Sequence, residues 1–240
     1  MADGCMALVR EADRDRYLAT LFAPQDKQKH LFSLYAFNTE IARIPTLVSE
    51  PQIGEIRLQW WLDTLDGIFA GQTQDHPVVQ ALSETIGQFN LPQQPLKNLV
   101  QARQFDLYAD QMPSRNDLEG YLGETQSGLM QLACLILDAN AATSVGQTAG
   151  YAGVAYGLAR ILNGQSRRSN FIPKNDTAES LIELARKRLA EARARPVPNA
   201  LLPAFLPVAL TESYFNANGK PPFALVLQWR MWRAARCEAF

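Results

Sequence analysis

The stretch from His30 to Gly71 limits what this chain can become, because it reads as two long helices with a short break between them. Leu31, Leu34, Tyr35, Phe37, Ile41 and Ile44 recur at steps of three and four, which places them on one face of an α-helix. Pro45 interrupts or kinks that helix near its end, since it has no N–H to donate and its ring collides with the preceding turn. Ser49-Glu50-Pro51 then reads as cap, acid and first-turn proline of a second helix, in which Ile56, Leu58, Trp60, Trp61, Leu62, Leu65, Ile68 and Phe69 are expected to be largely buried. The two helices form a hairpin. Asn38, Glu40, Arg43 and Arg57 fall among these bulky residues, and a charge held there must be paired, hydrated in a cavity or bound to a ligand. The hairpin is therefore a candidate pocket wall, set against the plainer reading that its aromatic residues only pack on neighbouring helices.

No alternating strand pattern occurs elsewhere, and the rest of the chain divides into helical segments. Leu8 to Phe22 is amphipathic and ends before Ala23-Pro24, and Asp26 can cap the helix that follows. Further helices are expected over Pro77–Phe89, Pro95 to about Gln111, Ser114–Asp138, 141–162, Thr177–Arg195, Pro203–Asn216 and Pro221–Arg236, which makes the fold all-α. Ser114 opens its helix with an approximate capping box, and Ser127-Gly128 in the middle of it lets another backbone or a ligand come close. Gly146, Gly150, Gly153 and Gly157, at steps of three and four, give the 141–162 helix a face almost without side chains, as in the buried central helix of a bundle. Asp106 with Asp110, and Asp63 with Asp66, are spaced to share a cation or to be solvated surface charges. Arg167 and Arg168 sit in a polar loop where they can bind a phosphate or simply face water. The last helix carries Trp229 and Trp232 with Arg230, Arg233 and Arg236, so it can lie on an anionic membrane or close the bundle with its apolar face.

With 240 residues and no composition break, the chain is expected to form a single domain. The 23 basic and 24 acidic residues nearly cancel, which gives no global field for nucleic acid. Cys5, Cys134 and Cys237 are widely spaced and lack a C-x-x-C pair, which argues against a disulfide framework or a zinc site and fits a reducing compartment. The first residues have an apolar run too short for a secretory signal, and no window reaches the roughly 20 apolar residues that span a bilayer. A cytoplasmic protein, soluble or peripheral at the membrane, is expected.

The segments YAFNTEIARI, EPQIGEIRLQWWLDTLDGI, ETQSGLMQLA, GVAYGLARIL and RRSNFIP, in this order and spacing, resemble the squalene and phytoene synthase superfamily from about Asp13 to Asn216. The resemblance implies an isoprenoid-synthase fold, a helical bundle around a central elongated pocket. Active members are prenyl transferases that join two allylic diphosphates, with Mg²⁺ ions held between two aspartate-rich segments to take the charge of the departing diphosphate. Carried over, the first segment falls on Ala42, Arg43 and Thr46 and the second on Gly157, Arg160, Asn163 and Gly164. Neither 41–49 nor 139–175 contains an Asp or Glu. A fixed positive charge at Arg43 would repel Mg²⁺ by several kcal/mol at about 4 Å and an effective dielectric near 20.

In these departures the chain resembles the non-catalytic branch of the superfamily, the assembly factors of respiratory complex I (NADH dehydrogenase). The matching residues are Asn38 with Glu40, Ser49-Glu50, Glu124-Thr125-Gln126-Ser127, and Gln165-Ser166-Arg167-Arg168 before Phe171-Ile172-Pro173. The resemblance implies a pseudoenzyme with no catalytic residue and no resident metal or cofactor. Its pocket or anion-binding residues would be Tyr35, Asn38, Glu40, Arg43, Arg57, Gln126, Arg160, Arg167 and Arg168. Its partners would be complex I subunits, an isoprenoid or lipid in the old pocket, and the surface of the inner membrane. Two alternatives stand beside it. One is a living prenyl transferase with a cation site built from Asp63, Asp66, Asp106 or Asp110 and with Arg43, Arg57, Arg160, Arg167 and Arg168 replacing metal charge on a diphosphate; the other is a helical interaction module whose pocket is filled by Phe37, Trp60, Trp61 and Tyr121.

Overall fold

The computed structural model describes residues 2–163, 169–215 and 223–240, and every regular element among them is helical. By backbone proximity the chain divides into two compact units, residues 1–109 with 135–139 and residues 110–134 with 140–240.

In the first unit, α1 (Ala2–Ala12) and α2 (Arg14–Thr20) stand where one amphipathic helix was expected. The break falls at Asp13, whose carboxylate accepts the Arg16 backbone N–H and so caps α2. Asp13 and Arg16 are both buried and their charges meet at 2.6 Å. The unit is built on α3 (Gln25–Leu47), against which α1, α2, α4 (Pro51–Phe69) and α5 (Pro77–Phe89) pack. Pro24 precedes α3 and no side chain caps it, so Asp26 is a first-turn acid, favoured there by the helix dipole, and not the cap. Pro45 does not end α3; it lies in the last turn and the helix runs to Leu47. Pro51 opens α4 at its first turn, as expected, and Asn90 ends α5 in the left-handed region with φ 49°.

Burial along α4 is narrower than the sequence suggests. Leu58, Trp61, Leu65 and Ile68 are buried, whereas Ile56, Trp60 and Phe69 are exposed. After α6 (Gln93–Ala102) the chain tightens into a 3₁₀ turn, Arg103–Leu107, where a longer helix was expected. The turn buries Arg103 and Asp106 as an ion pair at 3.2 Å, so Asp106 is a core charge, while Asp110 is exposed.

In the second unit Ser114 caps α7 (Arg115–Leu122), its hydroxyl accepting the Asp117 N–H at 3.2 Å. The helix widens to a π turn over Gly123–Ser127 and resumes as α8 (Gly128–Leu137), followed by the short α9 (Ala139–Ala142), residues 135–139 being counted with the first unit. The small-residue helix α10 (Gly146–Leu162) is the buried centre of the unit, with α11 (Ala178–Arg193) packed along it behind a capping box of Thr177 and Ser180. The Ser127 hydroxyl donates to the Gly150 carbonyl at 2.8 Å. A Cβ at Gly153 would lie 2.6 Å from the Ser127 backbone, and one at Gly157 would lie 2.6 Å from Leu122. The bare face thus receives the π turn. The helix expected over Pro203–Asn216 is broken into α12 (Leu202–Phe205), a 3₁₀ turn (Leu206–Leu210) and α13 (Thr211–Phe215). α14 (Ala224–Arg236) packs on that turn.

Candidate functional site

Three of the predicted site residues come together in the first unit. Glu40 and Arg43 from α3, with Ile44 and Leu47, face Arg57, Trp60 and Trp61 of α4 and His76 before α5 across a surface groove of about 260 Å³. The groove exists because both helices of the hairpin present residues at steps of three and four to it: 40, 43, 44 and 47 on one, 57, 60 and 61 on the other. Trp60, Trp61 and His76 meet edge to face, with ring centres 5.0 to 5.9 Å apart. Trp61 in turn packs edge-on against Phe37 in the core at 5.2 Å, which fixes one wall of the groove.

The Arg43 guanidinium pairs with Glu40 at 2.7 Å, and its side chain keeps 44% of its surface in water against 15% for Glu40. Arg57 is exposed. The groove therefore offers two guanidinium groups, one carboxylate already engaged, and an apolar floor of indole and aliphatic carbon. Such a surface can hold an anion or an apolar side chain between cations. Leu47, Trp60 and His76 complete it, and of these Trp60 was expected in the core. Its spacing from Arg57 is the signal that places both on one face.

Other candidates stand elsewhere. Tyr35 and Asn38 are buried in the first unit: the Arg16 guanidinium lies 5.7 Å from the Tyr35 ring centre, and the Asn38 carbonyl accepts from Arg103 at 3.3 Å. Both are core polar residues of α3 set against arginines. Gln126 and Arg160 belong to the second unit. Gln126 sits half-buried in the π turn, and the Arg160 guanidinium lies 5.7 Å from the Tyr156 ring centre on its own helix. Arg167 and Arg168 lie outside the described residues.

The other spaced carboxylates make surface contacts: Asp63 accepts from Gln59, and Asp66 pairs with Lys97 at 2.9 Å. Among the described residues, no group of three or more His, Cys, Asp or Glu side chains is placed to hold a metal ion. All three cysteines are free thiols; Cys5 and Cys134 are buried, and burial pushes the Cys134 thiol up to about 12, far from a thiolate nucleophile. No described helix is long and apolar enough to cross a membrane.

The family model for squalene/phytoene synthase matches residues 9–166. The chain is 29% identical over 249 residues to NADH dehydrogenase (ubiquinone) complex I, assembly factor 6, of Bos taurus, covering 92% of this chain and 74% of that protein. It is 31% identical over 139 residues to a 15-cis-phytoene synthase of Synechocystis sp., covering 56% of this chain and 40% of that one. The structure is similar to that of a dehydrosqualene synthase in complex with ligand, with a TM-score of 0.75 and 17% identity over 99% of this chain and 95% of the other, a likeness of fold alone.

Proposed function

Since this chain belongs to the squalene/phytoene synthase family, we propose that it is a non-catalytic member that assists assembly of NADH dehydrogenase, complex I. The observation that carries this reading is the Glu40–Arg43 ion pair. In the family resemblance Arg43 takes the place of a metal-binding aspartate. A guanidinium has only donors to offer and repels a cation, and the one nearby carboxylate is already committed to it. With no Asp or Glu over 139–175 either, the residues present do not fit a Mg²⁺ cluster, and no step of diphosphate departure is assigned to them. The likeness to the bovine assembly factor over nearly the whole chain supports the positive half of the reading. The groove between α3 and α4 is the surface we assign to a complex I subunit or a lipid-like ligand, held by Arg43 and Arg57 against Trp60.

The test has two parts. The purified protein is incubated with farnesyl and geranylgeranyl diphosphates and Mg²⁺, and pyrophosphate and hydrocarbon are assayed. No turnover is expected, and turnover overturns the non-catalytic half. The chain is then deleted in its host and the assembled NADH dehydrogenase resolved on a native gel. A reduced level restored by the intact chain is expected; an unchanged level overturns the assembly role.

A further inference from the structure

The last helix presents two apolar faces, and only one is used by the fold. Leu227, Met231 and Ala234, at steps of four and three, are its buried residues. On the opposite side Leu225, Trp229, Trp232 and Arg236 follow one another at steps of four, three and four, with Val226 and Arg233 flanking them. Leu225 is 78% exposed, Trp229 54% and Trp232 51%, and Phe223 just before the helix is 85% exposed. The indoles therefore do not close the bundle, because shorter side chains on the other face already do.

The charge on this outer face is of one sign. Arg230, Arg233 and Arg236 lie on the helix, and no Asp or Glu occurs from Ala224 to Arg236. The guanidinium of Arg233 lies 5.5 Å from the Trp229 ring centre and that of Arg236 lies 5.6 Å from the Trp232 ring centre. Each arginine thus lies against an indole, as in a side chain whose stem covers apolar surface while its charge stays in water. A second copy of the same face would bring arginine against arginine with no carboxylate on the helix to meet them. An anionic, deformable surface with an apolar layer beneath it answers both features: its headgroups take the arginines, and its acyl boundary takes the tryptophans, phenylalanine and leucine.

We propose that α14 docks this protein on an anionic lipid bilayer, lying in the interface with Phe223, Leu225, Trp229 and Trp232 inserted and Arg233 and Arg236 on the headgroups. This goes beyond the assembly role, and the two fail separately because they are read in different assays.

The intact protein is sedimented with vesicles of phosphatidylcholine and with vesicles of equal parts phosphatidylcholine and phosphatidylglycerol. Binding to the mixed vesicles and not to the neutral ones is expected, weakened by high salt. The double variants Trp229→Ala/Trp232→Ala and Arg233→Glu/Arg236→Glu should each keep the helical circular dichroism of the parent, since the changed side chains are outside the core. Each should reduce mixed-vesicle binding by about tenfold or more. Absence of binding by the parent, equal binding to neutral vesicles, or undiminished binding by both variants overturns the proposal. So does a lipid-free dimer in sedimentation velocity that Trp229→Ala/Trp232→Ala dissolves, because the face is then covered by a second copy.

Discussion

Asp13 with Arg16 and Glu40 with Arg43 are two carboxylate–arginine pairs at the same spacing of three residues, yet they are different objects. The first is buried on both sides and its acid also caps α2; the second opens into a groove. Removing the acid takes away a buried counter-charge together with the cap of α2, so Asp13→Ala is expected to lower unfolding free energy by about 3–5 kcal/mol in urea titrations. Arg43→Ala should change it by less than about 1 kcal/mol, because water screens its pair. Nothing in the spacing separates the two cases. The sequence showed that Glu40 and Arg43 needed partners among apolar neighbours, and the two pair with each other, but it left Asp106 as a shared cation ligand or a solvated charge, whereas it anchors Arg103 in the core. A short-range pattern records which groups can meet, whereas burial depends on the helices that arrive from elsewhere.

At the level of elements, the hairpin, the Pro77 helix and the Ser114 cap were legible because proline, a capping hydroxyl and helical periodicity act locally. The breaks at Asp13, Arg103 and Leu206 were not: the first is an aspartate cap hidden inside an amphipathic pattern, the second goes with the buried pairing of Arg103 and Asp106, and the third carries Pro207, which the pattern could absorb. The four glycines of α10 make the same point from inside one helix. They share one spacing, but only Gly153 and Gly157 lie against neighbouring atoms, while a Cβ at Gly150 would meet nothing within 4 Å. Gly153→Ala forces the Ser127 backbone away and should cost about 1–3 kcal/mol, seen as a lower thermal midpoint. Gly150→Ala should be neutral or stabilising by up to about 1 kcal/mol, as expected for alanine in an unobstructed helical site. The π turn is the counterpart of that contact, since it brings Ser127 to the carbonyl of Gly150.

For the whole molecule, the all-α class was legible in the helical periodicity and the family in the order of the segments. The folding equilibrium carries one titration that can be read from outside. His30 is buried, with Nδ1 3.0 Å from the Thr85 hydroxyl and Phe89 edge-on at 4.8 Å, and its Nε2 has no hydrogen-bond partner among the described residues. Burial, helped by Lys29, holds its pKa below the ordinary histidine value. The unfolded chain therefore binds the proton more readily. Stability should fall as pH drops through about 6.5 toward the lower folded value and be independent of this group above it, and His30→Gln should flatten that slope in urea midpoints. A second, more acidic loss belongs to Asp176, which the Arg115 guanidinium holds below the usual carboxylate range and which begins to protonate first in the unfolded chain, below about pH 4. The cysteines divide in the same way between inside and outside. Cys5 and Cys134 are sealed in the core, and Cys237 stands in the open directly after α14. A maleimide dye or spin label on the natural protein would therefore attach beside the outward tryptophans with no engineering, making the chain its own probe of whatever α14 touches.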